Sequence, residues 1–194
     1  MSSVYRQRLE EWLSKQNIKS EWLLDIGGSQ QSLPKRVNSW QVKHYLIADL
    51  PNPHEKNNDV DIEFDLNRYG KMQQGLIEYK GMFDTVFCLE VFEYIYNPVF
   101  AMQSLCDFVK PGGKVIISAP FYYPIHEPVE NDYLRYTEAG LIKIASEVGL
   151  THKITHNRLA QTNALQQVIS AEKLKASKNY TEHNNLGYIM EFIK

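Results

Sequence analysis

Four carboxylates stand at or just past the ends of apolar runs. Asp25 follows Trp22-Leu23-Leu24, Asp49 follows Tyr45-Leu46-Ile47-Ala48, Asp65 follows Ile62-Glu63-Phe64, and Glu90 follows Val86-Phe87-Cys88-Leu89. If these runs are parallel strands, the four acids gather where open α/β sheets take their ligands, beyond the carboxyl ends of the strands. Asp25 leads into Ile26-Gly27-Gly28-Ser29. Adjacent glycines let a backbone approach a ligand closely. A carboxylate just before them suits an amine or hydroxyl donor, whereas a dinucleotide pyrophosphate is met by a bare G-x-G-x-x-G turn. The arrangement argues against NAD and for a ligand without phosphates.

A second cluster runs through Pro120-Phe121-Tyr122-Tyr123-Pro124-Ile125-His126-Glu127-Pro128 and Asn131-Asp132-Tyr133-Leu134-Arg135-Tyr136-Thr137. His126 is the candidate general base, since an imidazole in water is largely neutral at pH 7. Tyr122 and Tyr123 are suited to orienting an acceptor or laying a ring face against a cation. Arg135 has two readings, a contact to the acceptor or an ion pair with Asp132 inside the loop. Tyr133 and Tyr136 read best as anchors. His44 precedes a strand, His54 sits in a polar turn, and His152 and His156 fall beyond the last site loop.

The elements that must position these groups alternate along the chain. Tyr5, Leu9, Trp12 and Leu13 recur at helical spacing among charged residues, which predicts an amphipathic helix packed as a flap over residues 1–18. Strands are predicted at 22–27, 43–49 and 83–89, with an edge strand where Val60, Ile62 and Phe64 alternate with acids. The stretch from Leu33 to Trp40 is short for a crossover helix. A helix is predicted from Arg68 to Tyr79. Another starts at Asn97-Pro98, with Val99, Met102, Leu105, Cys106 and Val109 on one face, and stops at Pro111-Gly112-Gly113. Lys114 to Ala119 is a β-branched central strand. Thr137 caps a helix that carries Leu141, Ile144, Ala145 and Val148 and ends at Gly149. Two further strands are placed near 151–155 and 186–193 with a helix between them, and Lys173 to Asn185 reads as a helix end and surface loop. Strands alternating with helices imply a doubly wound, mostly parallel sheet.

The 194 residues fit one domain. A formal charge of −2 gives no global attraction for nucleic acid or an anionic membrane. No apolar run approaches the roughly 18 to 20 residues of a membrane span, and the N-terminus, with Arg6, Arg8, Glu10 and Glu11, has no signal-peptide core. Cys88 and Cys106, each in an apolar context, read as buried thiols in a reducing compartment, so a cytoplasmic location is expected. No metal-ligand spacing stands out.

The segments LLDIGGSQ, LIADL, DIEFDLN, FDTVFCLEVFEYIYNP and VKPGGKVIISAP, in that order, resemble the class I S-adenosylmethionine-dependent methyltransferases over nearly the whole chain. The 120–137 loop is similar to one in bacterial members encoded with surface-polysaccharide enzymes. The resemblance implies a Rossmann-like sheet of about seven strands with the last antiparallel and helices on both faces. It implies S-adenosylmethionine as cofactor, with Gly27, Gly28 and Ser29 beneath the methionine part and Asp25 near its ammonium. Asp49, followed by Leu50, meets the ribose hydroxyls. Asp65 and the backbone of Leu66 meet the adenine, and Leu89-Glu90 passes the sulfonium. Tyr94, Tyr122, Tyr123, His126 and Arg135 face the acceptor, with His126 and Tyr123 catalytic. Two departures stand out: Ser29 and Gln31 replace glycines of the family's G-x-G-x-G, and Tyr94 stands where histidine is common in E-V-x-E-H-I.

The implied activity is methylation of a small polar acceptor, most simply a sugar or surface-glycan hydroxyl, with neither nucleic acid nor membrane as partner. The alternatives are a cofactor-binding protein of the same fold without catalysis, motivated by Ser29 and Gln31, and, ranked lower, a nucleic-acid methyltransferase. The latter lacks the Asn/Asp-Pro-Pro-Tyr turn after the fourth strand, where this chain has Cys88-Leu89-Glu90-Val91.

Overall fold

The structure is a computed structural model describing residues 3–37, 39–53, 57–68, 74–159 and 185–194. Its strands are β1 (Lys19–Ile26), β2 (Gln41–Asp49), β3 (Ile62–Glu63), β4 (Phe83–Leu89), β5 (Val109–Pro120), β6 (Thr151–Leu159) and β7 (Asn185–Ile193). Its α-helices are α1 (Val4–Lys15), α2 (Pro98–Phe108) and α3 (Glu138–Glu147). The strands form one sheet in the order β3-β2-β1-β4-β5-β7-β6, and β7 runs antiparallel to both of its neighbours. The chain reverses its direction of winding between β1 and β4. The crevice beyond their carboxyl ends is therefore the ligand position of this topology.

Alternation along the strands divides the core. Leu24, Ile26, Val86, Cys88, Val115, Ile117, Met190 and Phe192 face the layer of α2 and α3. Leu23, Phe87, Leu89, Ile116 and Ile189 face α1 and the 3₁₀ turn Leu33–Lys35. Helix α1 is 12 residues long, too short to be stable alone. It is fixed by burial of Leu9 and Leu13, neither of which keeps any exposed surface. At about 1.5–3 kcal/mol for each buried leucine, packing outweighs weak intrinsic helicity. Ser3 caps its first turn by accepting from Arg6 N–H.

Several boundaries differ from the sequence reading. The edge strand shrinks to Ile62–Glu63, because Asp61 already engages Ile47 through both its backbone N–H and its carboxylate. The described part of the Arg68–Tyr79 segment is a 3₁₀ helix, Gln74–Tyr79, rather than an α-helix. Gly75 costs about 1 kcal/mol in an α-helix relative to alanine. Pro111-Gly112-Gly113 does not terminate α2, which ends at Phe108; the three residues lie inside β5, with Gly112 at φ +76°. The Lys194 ammonium caps the helix end by donating to the carbonyls of Cys106 and Val109. Asn97 makes no side-chain cap, whereas Thr137 accepts from Gly140 N–H as its position predicts. Strand β1 starts at Lys19 and β6 runs on to Leu159. The helix expected before β7 and most of the 173–185 stretch lie outside the described residues.

Close approach at Gly187 sets how β7 meets the rest of the fold. A Cβ there would lie 2.6 Å from the Ala119 carbonyl oxygen and 2.7 Å from the Tyr5 ring. Gly187→Ala is therefore expected to lower stability by about 1–3 kcal/mol, read from the denaturant midpoint at unchanged slope. An unchanged midpoint would show that this contact is not limiting.

Candidate active site

The glycine turn leaves β1 at Gly27, which adopts φ +80° and donates to the Ala48 carbonyl at 2.8 Å. A side chain at Gly27 would meet Val91 at 2.4 Å, so the turn sits directly against the segment that follows β4. Asp49, at the end of β2, takes Ser29 N–H at 3.1 Å on one oxygen and Leu50 N–H at 2.8 Å on the other. From the far side, the backbone N–H groups of Asn57 and Asn58 and the Asn58 amide all donate to the Ser29 carbonyl. The turn is thus fixed by β2 and by the segment that follows it. Gln31 hydrogen-bonds to Arg6 of α1, so this replacement of a glycine serves as a latch for the helix.

Asp25 lies elsewhere than expected. Being one residue before the strand end, it projects onto the inner face, where its Oδ2 takes the Tyr45 hydroxyl at 2.5 Å and Leu33 N–H at 3.3 Å. It is 3% exposed and braces the turn from below; its hydrogen bonds go to the protein, not toward a ligand ammonium. Burial pushes its carboxyl up to about 6, against the lowering effects of the Tyr45 hydrogen bond and the Arg36 charge.

Glu90, the first residue after β4, has φ 58°, a conformation that side chains other than glycine adopt at a cost and that clusters at functional sites. Its carboxylate is fully engaged. Oε1 takes Arg158 Nη1 at 2.6 Å, the Ser118 hydroxyl at 2.5 Å and the Tyr5 hydroxyl at 3.2 Å, while Oε2 takes Arg158 Nη2 at 3.1 Å. The Arg158 guanidinium lies 3.2 Å from the centroid of the Tyr5 ring and donates to the Tyr5 carbonyl. Burial alone would raise the Glu90 carboxyl, but Arg158 and Ser118 outweigh it and hold the group below the usual range. Glu93, 3% exposed, is driven the other way by burial and by the Glu90 charge. Its Oε2 has no hydrogen-bond partner among the described residues. Arg158, Ser118 and Tyr5 were not among the sequence candidates. Arg158 lies past the predicted end of its strand, and Tyr5 reads as one more apolar position of an amphipathic helix.

The 120–136 loop closes over this cluster. Asp132 is its hub, accepting His126 N–H at 2.6 Å and a bidentate pair from Arg135. The Arg135 hydrogen bonds hold the Asp132 carboxyl low. Arg135 also donates to the Pro124 carbonyl at 3.0 Å, which makes it a loop brace and not the acceptor ligand considered above. Tyr136 is buried and donates to the Phe92 carbonyl, and Tyr133 and Leu134 donate their N–H groups to the Glu93 carbonyl. The loop brings together Tyr123, whose ring lies 4.7 Å from Tyr5 and 5.9 Å from His126, and Tyr94, whose hydroxyl bonds to His126 Nδ1 and to the Glu127 carbonyl at 2.8 Å.

Other candidates are dispersed. The Asp65 carboxylate accepts Asn67 N–H at 2.9 Å and pairs with Arg68 at 3.2 Å, so it shapes its own turn. Leu66 and Leu89 are core side chains. The side chains of Leu50 and Tyr122 are exposed, the latter with its backbone N–H on the Leu186 carbonyl. Asn67, unpredicted, ties the β3 turn to the site by bonding the Tyr94 carbonyl and Tyr96 N–H.

Residues 1–177 match a family model described as a methyltransferase domain. The chain is 29% identical over 118 residues to a ubiquinone biosynthesis O-methyltransferase of Xanthomonas euvesicatoria pv. vesicatoria, a match covering 57% of this chain and 48% of that protein. The chain spans at most about half the length of the curated relatives it matches. In fold it resembles the S-adenosylmethionine dependent methyltransferase of Mesorhizobium loti, with a TM-score of 0.59, 11% identity, and 98% of each chain covered. It also resembles the 1,6-didemethyltoxoflavin-N1-methyltransferase of Burkholderia thailandensis, solved with bound S-adenosylhomocysteine, with a TM-score of 0.59, 12% identity, and 99% and 78% covered.

Two outcomes follow from the buried charges. Arg158→Met leaves Glu90 without its counter-ion and is expected to cost about 3–5 kcal/mol. Adding Glu90→Gln should restore much of that loss in a double-mutant cycle; additive losses would show that the pair is not coupled. Because the Asp25 carboxyl is raised in the folded protein, its contribution is complete below the unfolded value near 4 and fades as pH rises through about 6. Relative to Asp25→Asn, the wild type should lose up to about 3 kcal/mol across that window and nothing further above it. Parallel pH–stability curves for the two proteins would contradict this placement.

Proposed function

Because the chain belongs to the methyltransferase-domain family, we propose that it moves the methyl group of S-adenosylmethionine onto a hydroxyl of a small polar acceptor, a sugar or surface-glycan precursor. The protein is an S-adenosylmethionine-dependent methyltransferase, and that cofactor supplies an electrophilic methyl on a sulfonium. The residues present fit it. Asp49, half-buried at the end of β2, holds the turn with one hydrogen bond per oxygen and keeps acceptor capacity for a vicinal diol. Gly27 and Gly28 lack the side chains that the contacts with Val91 and Asp25 would forbid. The observation that carries the acceptor assignment is the row of rings Tyr5, Tyr123, His126 and Tyr94, which meets the ends of β4 and β5 beside the turn.

In this reading the chain's contribution is positioning. A direct displacement needs the acceptor oxygen aligned and water excluded, with little covalent chemistry from the protein. Tyr123, half-buried against the tilted ring of Tyr5, offers an aromatic surface suited to the face of a sugar or aromatic ring. His126 takes the hydroxyl proton. Asp25 and Glu90 act through the backbone that they brace. The curated relatives are ubiquinone biosynthesis O-methyltransferases, which supports an oxygen of a ubiquinone precursor as a second acceptor class. The net charge and the rings favour small acceptors over nucleic acid, and no described helix is long and apolar enough to cross a membrane. A cytoplasmic setting fits the free Cys88 and Cys106.

Titration calorimetry of the full chain should show S-adenosylmethionine binding, and Asp49→Ala should weaken it about tenfold or more, as expected for lost charge-assisted hydrogen bonds. Absence of heat at millimolar cofactor would sink the proposal. A panel of nucleotide sugars and catechol-like phenols, followed by methyl incorporation, separates the acceptor classes. His126→Ala should lower turnover on the best acceptor by about a hundredfold or more with cofactor affinity retained. Binding without turnover across the panel would favour a non-catalytic role.

A further inference from the structure

We propose that Tyr94 is the positioning residue that fixes the tautomer of His126, holding the proton on Nδ1 and presenting the unprotonated Nε2 to the acceptor. The inference rests on the reading of His126 as the base. It starts from proton counting. The Tyr94 hydroxyl has one hydrogen and two neighbours, the Glu127 carbonyl oxygen at 2.8 Å and His126 Nδ1. A carbonyl oxygen only accepts, so the hydroxyl proton points to Glu127. The phenolic oxygen is then left with lone pairs toward the imidazole. Two lone pairs facing each other repel, so Nδ1 must carry the hydrogen and donate it to Tyr94.

The surroundings keep the arrangement in this sense. Burial, with the nearby Asp132 and Glu90 charges, pushes the Tyr94 hydroxyl above its ordinary range, so it keeps its proton as a donor to Glu127. Asp132 holds the His126 backbone N–H and is itself locked by Arg135, which fixes where the ring starts from. Tyr123 lies 5.9 Å away on the other side. When the acceptor proton moves to Nε2, the imidazolium retains its Nδ1–H bond to Tyr94 and has the Asp132 carboxylate in the same loop. No heavy atom has to rearrange. Tyr94 thus supplies the hydroxyl that orients the imidazole carried by the loop.

Long-range ¹H–¹⁵N correlation spectra of the labelled full chain, at mildly alkaline pH, read the tautomer directly, with His126→Gln assigning the signal. The wild type should show a pyrrole-like Nδ1 and a pyridine-like Nε2 for His126. Tyr94→Phe should shift the ring toward the Nε2–H form that imidazoles prefer in water, and lower turnover about tenfold at unchanged cofactor affinity. A wild-type Nε2–H ring, or the same pattern in Tyr94→Phe, overturns the proposal, and the wild-type spectrum alone suffices should the variant misfold. If His126→Gln methylates at the wild-type rate, the base assignment fails together with any role of Tyr94 in turnover, while the tautomer readout stands independently.

Discussion

The ion pair between Glu90 and Arg158 is the constraint on which the arrangement of the site depends. It is buried, and taking two charges out of water costs several kcal/mol each unless their hydrogen bonds are met. Here they are met by groups from different elements: Ser118 on β5, and the hydroxyl and carbonyl of Tyr5 on α1. A pair of this kind need not add net stability over an apolar substitute. What it does is penalise every packing in which α1, β4, β5 and β6 do not meet in this one way. The strained φ of Glu90 is held by the same contacts, and the backbone after β4 is directed toward the glycine turn.

The N-terminal helix depends on this pair at one end and on a second polar set along its length. Arg6 reaches Gln31, and Glu10 binds Arg36, whose side chain is nearly buried beside the Leu33–Lys35 turn. Helix α1 thus spans from the 120–136 loop, where Tyr5 meets Tyr123, to the exit of the glycine turn. This accounts for the departure at Gln31. A glycine there would leave Arg6 without that acceptor, and the chain has a short 3₁₀ turn after its glycines, over which α1 packs.

Much of this was legible in the sequence where a single strand or helix decides the outcome. Asp49 ends β2 beside the glycine turn, as strand-end logic places it, and Thr137 caps α3. What was not legible depends on which face a residue takes or on a partner far along the chain. Asp25 is one position short of the strand end, and the two-residue period turns it inward to Tyr45. Arg158 meets Glu90 across 68 positions, a pairing that no local pattern announces. For Arg135, by contrast, the ion pair with Asp132 was the favoured reading of the sequence and is present, with the Pro124 carbonyl as a further partner that only the fold supplies. Of the helix expected from Arg68 to Tyr79, the stretch Gln74–Tyr79 is a 3₁₀ helix, and Gly75 within it disfavours the α form.

The two carboxyls that follow β4 show how one short segment divides its labour. Arg158 beside Glu90 holds its carboxyl low, while burial and the Glu90 charge push the Glu93 carboxyl up, and Glu93 Oε2 has no partner among the described residues. Two anions at such proximity in a dry interior would repel, so pairing one dictates protonation of the other. The Glu93 carbonyl accepts the N–H groups of Tyr133 and Leu134 and so seats the loop that carries His126. The same segment supplies Tyr94 to the imidazole, which links the ionic interior of the site to its exposed chemistry within four residues.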